Sequence, residues 1–108
     1  MNSKIKFAKK TLINNRRSNY TLPTNTKLYP AQWNWDSAFI ALGYSNFNLH
    51  YSFKEIETLI SGQWDDGMIP HILFHIKDLN YTPNYKAWDC GKKISSSGIT
   101  QPPILASI

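Results

Sequence analysis

Ile5, Ala8, Leu12 and Ile13 recur at helical spacing near the start of the chain, with lysines filling positions between them. The pattern predicts an amphipathic helix over about residues 3–16 with a lysine-rich outer face. From Ser18 to Pro30 the Asn, Thr and Pro punctuation predicts an extended connection. Ala38-Phe39-Ile40-Ala41-Leu42 is apolar on every side and predicts a buried second helix, roughly 36–46. Asp36 and Ser37 both have side-chain oxygens placed to accept the unpaired amides of its first turn. Ser52-Phe53-Lys54-Glu55 has capping-box spacing, and Phe53, Ile56, Leu59 and Ile60 form an apolar stripe. A third helix should therefore start there and end near Ser61-Gly62.

Beyond it, Asp65-Asp66-Gly67 reads as a turn, and residues 64–98 show little periodicity. Gly, Pro and Asn punctuate that stretch, which predicts a long loop-rich excursion. Loops of that length in compact domains are usually functional or disordered. Thr100-Gln101-Pro102-Pro103-Ile104 reads as a helix start, because a proline in the first turn lacks only an amide that would be unpaired anyway. The helix has room for barely two turns before Ile108, which predicts that the sequence is the N-terminal part of something larger. The coarse reading is all-α: about four helices joined by loops, and no strand pattern strong enough to build a sheet.

The chain of 108 residues bounds this to one small domain, and its apolar share of 42% makes disorder improbable for most of it. The net charge of +5 changes the picture only once it is mapped. Residues 1–27 carry seven basic side chains and no acid, whereas residues 28–108 carry five lysines against seven acids. The basicity thus belongs to the first helix and the connection after it. With only Phe7 as an aromatic ring among the lysines of the first helix, a solvated helix face is expected rather than a nucleic-acid site. The single cysteine, Cys90, excludes an internal disulfide framework and fits a reducing compartment. Neither a signal peptide nor an apolar run long enough for a membrane span is readable, so a cytoplasmic protein is expected. Asn19-Tyr20-Thr21 and Asn80-Tyr81-Thr82 fit the glycosylation pattern, which means little without secretion.

Glycine-rich phosphate loops, zinc spacings and nucleophile elbows are absent from the sequence. His71 and His75 stand at i, i+4, but a zinc-protease motif needs an acid where Ile72 stands. Separate roles are expected for the two, with no metal and no cofactor. The aromatic-rich segment is more informative, in a chain that is 14% aromatic. Sugars present apolar C–H faces ringed by hydroxyls, so their sites combine flat aromatic rings with Asp, Gln and His. Tyr29, Trp33, Trp35 and Asp36 supply that chemistry, and Gln32 and Gln101 could add to it. On composition alone the alternative stands equally: the tryptophans pack between helices and Asp36 only caps.

Three segments occur in order: "YPAQWNWDSAFIALG" (29–43), "GQWDDGMIPHILF" (62–74) and "SSGITQPPILA" (96–106). Together they resemble the N-terminal part of the catalytic domain of mannosylglycerate and glucosylglycerate hydrolases, related to glycoside hydrolase family 63. The resemblance covers about residues 28–108 and leaves 1–27 as a basic leading helix and connection. It implies an incomplete portion of an (α/α)6 toroid, and an inverting reaction in which one carboxylic acid protonates the leaving oxygen while another carboxylate activates water. Those two groups stand roughly 6.5–9.5 Å apart. The resemblance further implies that Tyr29, Trp33, Trp35 and Asp36 line the sugar subsite and that Gln101 is a pocket-lining glutamine. His71 and Trp88 are implied contacts at the pocket mouth.

The family's acid and base lie beyond the position of Ile108, so no catalytic residue is assigned here. Asp65 and Asp66 are read as turn formers. The expectation is a sugar-holding portion of a glycoside hydrolase, inactive alone, whose partners are a small carbohydrate and the remainder of the domain. The alternative is a small non-catalytic helical module that binds a sugar or a protein. A third reading, nucleic-acid binding through the first helix, predicts affinity that falls steeply with salt.

Overall fold

The computed structural model describes residues 2–24 and 28–108; residues 25–27, within the predicted connection, lie outside the described residues, as does Met1. Among the described residues, four α-helices and a few two-residue strands make up the fold. Helix α1 spans Ser3–Asn15, started by the Asn2 side chain, which accepts from the Lys4 amide at 2.7 Å. Its apolar positions are present as predicted, yet none of its residues is buried. The helix is tied down at Leu12, whose carbonyl accepts from the Tyr44 hydroxyl at 2.9 Å, at Asn15, whose carbonyl accepts from the Leu22 amide at 2.9 Å, and at Lys9, over the Phe47 ring at 5.2 Å.

The extended connection predicted from Ser18 is in its first part a hairpin. Strand β1 (Arg16–Arg17) pairs antiparallel with β2 (Tyr20–Thr21), turning through Ser18 at a positive φ of 34°. Tertiary contacts decide this: the Arg16 guanidinium lies 3.8 Å over the Tyr51 ring, and the Thr58 hydroxyl donates to the Asn19 carbonyl at 2.9 Å.

Helices α2 (Asn34–Tyr44) and α3 (Leu49–Ile60) pack on one another and form the centre of the fold. The Ser52 hydroxyl of α3 donates to the Ala41 carbonyl of α2 at 2.6 Å. Three expectations are corrected here. First, α2 starts two residues earlier than predicted, so neither Asp36 nor Ser37 is its cap; Trp33 takes that position and makes no side-chain cap bond. Second, α2 is not buried all round. Asn34, Ser37, Ala38, Ala41 and Tyr44 form one buried face at helical spacing, while Trp35, Phe39 and Leu42 are exposed on another. Third, Ser52 and Glu55 are not a capping box. Helix α3 begins a turn earlier, capped by Asn48, whose side chain accepts from the Tyr51 amide at 3.1 Å. Its buried face is Ser52, Glu55 and Leu59; Phe53 and Ile60 of the predicted stripe point outward.

The excursion after α3 is loop-rich as expected, and it is also organised. Strand β4 (Ile72–Leu73) pairs antiparallel with β3 (Gln32–Trp33), and bridges join Leu73 and Cys90 to Ser96. These ladders were not legible as strands because each is only two residues long. A one-turn helix, α4, spans Tyr85–Trp88. Asp66 forms the predicted turn, its carboxylate accepting from the Met68 amide at 3.0 Å, with Gly67 at a φ of 96°. Asp65 lies in the same turn, closed by the Gly67 amide donating to the Trp64 carbonyl at 2.9 Å, and also forms an exposed ion pair with Lys92 at 3.6 Å. The predicted final helix is a 3-10 turn, Ile104–Ser107.

Two interiors result. One is apolar: Ala31, Trp33, Ile72 and Phe74, flanked by Tyr81, Tyr85 and Trp88. The other is polar. Glu55, 1% exposed, accepts from the Ser37 hydroxyl at 2.6 Å and from the Gln32 amide at 3.3 Å, with further hydrogen bonds from Thr21. Gln32 in turn meets His75 Nε2 through its Oε1 at 2.8 Å. Removing a carboxylate from water costs several kcal/mol per ion, and this ring of donors offsets that cost. Burial still dominates and pushes the Glu55 carboxyl above the ordinary glutamate range.

Candidate functional site

The three segments singled out in the sequence meet at the N-terminus of α2. The Asn34 amide donates to the His71 carbonyl at 2.9 Å, and its side chain donates to the Ile69 carbonyl at 3.1 Å. The next amide, Trp35 N–H, donates to Gln101 Oε1 at 2.9 Å. Thr100 closes the junction by donating to the same Ile69 carbonyl at 2.7 Å. A helix start leaves several amides unpaired, and here residues from distant segments satisfy them in place of a local cap.

Around this junction the expected site residues fall into two sets. Trp35 is 42% exposed, packs edge-on to Phe39 at 5.6 Å, and is followed by the half-buried Asp36 in the first helical turn. Burial raises the Asp36 carboxyl above the ordinary aspartate range, while hydrogen bonds from its own amide and the Trp35 side chain pull it part-way back. The second set is Tyr29, Trp33 and Tyr81, three rings in mutual contact: Tyr29 meets Trp33 edge-on at 5.3 Å, and Trp33 meets Tyr81 at 5.4 Å. Tyr29 is 44% exposed, but Trp33 is 8% exposed and mainly a core residue. Sequence reading missed Tyr81, since nothing in its loop marks it as a neighbour of Trp33.

His71 is half-buried, its Nδ1 2.6 Å from the Ser97 hydroxyl and its ring edge-on to Trp88 at 5.6 Å. Burial lowers its pKa below the ordinary histidine value. The Trp88 indole N–H is enclosed and has no partner among the described residues. His75 has a separate role from His71, as expected: it bonds Gln32 and stacks on Tyr20 at 4.3 Å. Gln32 is corrected as a candidate sugar contact, being fully buried with both ends of its amide engaged. No group of three or more His, Cys, Asp or Glu side chains is arranged to hold a metal among the described residues. A cleft of about 550 Å³ lies between Gly62–Asp66 and Cys90–Lys93 and shares no lining residue with this cluster.

Residues 29–108 match the family model of the mannosylglycerate hydrolase MGH1-like glycoside hydrolase domain. The chain belongs to that family. Among the relatives of this glycoside hydrolase domain, mannosylglycerate hydrolase MGH2 of Selaginella moellendorffii is 42% identical over 103 residues, 94% of this chain and 21% of the relative. The mannosylglycerate hydrolase of Thermus thermophilus is 41% identical over 104 residues, 94% of this chain and 25% of the relative. A crystal structure of the Thermus thermophilus family 63 enzyme in complex with Tris and D-glycerate superposes with a TM-score of 0.85 at 43% identity, covering 94% of this chain and 24% of that one. This member of the family thus spans between a fifth and a quarter of the length of these relatives. No helix among the described residues is long and apolar enough to cross a membrane.

Proposed function

We propose that this chain is the sugar-holding portion of a glycoside hydrolase acting on an α-glycoside of glycerate, and that it contributes no catalytic carboxylate. The observation that carries this reading is the junction at the start of α2. There Gln101, Asn34 and His71 tie all three family motifs to the amides beside Trp35 and Asp36. Trp35 and Tyr29 offer exposed ring faces for the apolar side of a sugar, and Asp36 offers acceptor oxygens to its hydroxyls. His71 and Trp88 flank the same junction and complete the contact set, with Trp33 supporting Tyr29 from beneath.

Inverting hydrolysis needs two carboxyl groups on opposite faces of the sugar. Asp36 is the one acid in this cluster; Glu55 is enclosed and faces only Ser37, Gln32 and Thr21. The acid and base therefore belong to other helices of an (α/α)6 domain, working in the cytoplasm. Incubating the purified chain with mannosylglycerate or glucosylglycerate and assaying free glycerate should give no release above the uncatalysed background. Stoichiometrically repeated release, abolished by Asp36→Ala, would overturn the assignment.

A further inference from the structure

We propose that Glu55 is a positioning residue for Trp33–Asp36, gripping that segment from behind through Gln32 and Ser37. This rests on the sugar-holding reading above. Gln32 immediately precedes Trp33 and Ser37 immediately follows Asp36, so the two gripped residues bracket the segment. Glu55 Oε2 receives the Ser37 hydroxyl at 2.6 Å and Gln32 Nε2 at 3.3 Å. Gln32 Nε2 also donates to Ser37 Oγ at 3.0 Å and to the Glu55 carbonyl at 3.2 Å, which closes the grip into a ring. All three residues are essentially without solvent exposure. Through this ring α3, which carries no expected sugar contact, fixes both the start of β3 and the first turn of α2.

The chemistry of the ring requires an acceptor. The hydrogen bonds to the Glu55 side chain come from the Ser37, Gln32 and Thr21 side chains and the Thr21 backbone. An ionised carboxylate accepts from all of them, whereas a protonated one brings a hydrogen into a space already facing donors. Protonation therefore loosens the grip, and the set of the two tryptophans follows the charge on Glu55. The titratable groups around it are Tyr20 from β2, Tyr44 from α2 and, across Gln32, His75; Arg17 and Arg16 act on the two tyrosines. Asp36 is the other acid that bears on Trp35.

The test follows the four indole N–H signals of the 15N-labelled 108-residue chain by NMR from pH 8 down to 3.5. In an Asp36→Asn background, which removes the carboxylate that the Trp35 indole N–H itself donates to, the Trp33 and Trp35 signals should share an acid-range step that is lost on adding Glu55→Gln. Trp64, in the turn after α3, is the internal reference and should lack that step. In that background, the absence of a shared step, or a shared step that survives Glu55→Gln, overturns the proposal. If Glu55→Gln does not fold, Ser37→Ala in the same Asp36→Asn background decides: it should uncouple the Trp35 signal while the Glu55 carboxyl, followed by 13C, still titrates. A Trp35 signal still moving with Glu55 in that variant overturns the proposal. The sugar-holding reading fails separately, because the pH experiment uses no sugar. Coupling without any response of Trp35 to mannosylglycerate sinks that reading alone, and a response with the pH step unchanged in Glu55→Gln sinks this one alone.

Discussion

Glu55 and His75 lie on one chain of hydrogen bonds through Gln32, and burial moves their titrations in opposite directions. His75 is lowered to about 4 from an ordinary 6.5. The unfolded chain takes up this proton near the ordinary value while the folded chain resists it, so His75 contributes stability above pH 6.5 that is lost as the pH falls toward 4. His71, also lowered by burial, adds in the same direction. Glu55 is raised, so its contribution is full below the ordinary glutamate value and is lost as pH rises through its folded value. Urea midpoints measured between pH 7 and 4.5 should therefore decline less steeply in His75→Gln and more steeply in Glu55→Gln than in the unaltered chain. Unchanged slopes in both variants would contradict the network.

Gln101 is the second residue with a measurable share. Its side chain substitutes for the missing cap of α2, and losing such a cap costs about 1 kcal/mol. Gln101→Ala should lower the melting temperature by roughly 4–8 °C for a domain of this size. Gln101→Glu should raise it, since a carboxylate suits a helix N-terminus better than an amide oxygen. The types and spacing of Trp35, Asp36 and Gln101 were legible in the sequence. That Gln101 reaches the Trp35 amide was not, because the two are far apart along the chain. Gln32, read as a possible sugar contact, and Glu55, read as part of a capping box, were misread for a related reason: only partners distant along the chain show that the two are buried against each other.

Among the elements, helix existence followed from the apolar period and helix limits did not. Asn48 starts α3 a turn ahead of Ser52, and both signals satisfy the local rule for a cap. The stripe Phe53–Ile56–Ile60 predicts a face that seeks a partner, and among the described residues Phe53 and Ile60 remain exposed. The loop strand β4 is held to the end of α3 by close packing. A side chain added at Gly62 would run into Leu73, which is fully buried and paired with Gln32. Gly62→Ala should accordingly destabilise the chain by about 1–3 kcal/mol, read as a lowered urea midpoint. An unaffected midpoint would mean that β4 can shift without loss, and that the β3–β4 ladder does not hold the site.

At the scale of the whole molecule, the family was legible from three short motifs, and each of them contributes residues that meet at one helix start. The (α/α)6 arrangement was not derivable from periodicity, and it enters the account as a proposal. It does give the other exposed apolar positions a role: Phe39 and Leu42 on α2, with Leu49, Phe53 and Ile60 on α3, would face further helices. The central claim is that the chain holds a sugar at Trp35 and Asp36 without cleaving it. Titrating the labelled chain with mannosylglycerate, while following the Trp35 indole signal and assaying glycerate in the same tube, tests it most directly. The account predicts a saturable shift of Trp35 that Asp36→Ala weakens at least tenfold, with no glycerate released; a Trp35 signal that never moves, or glycerate accumulating with time, would contradict it.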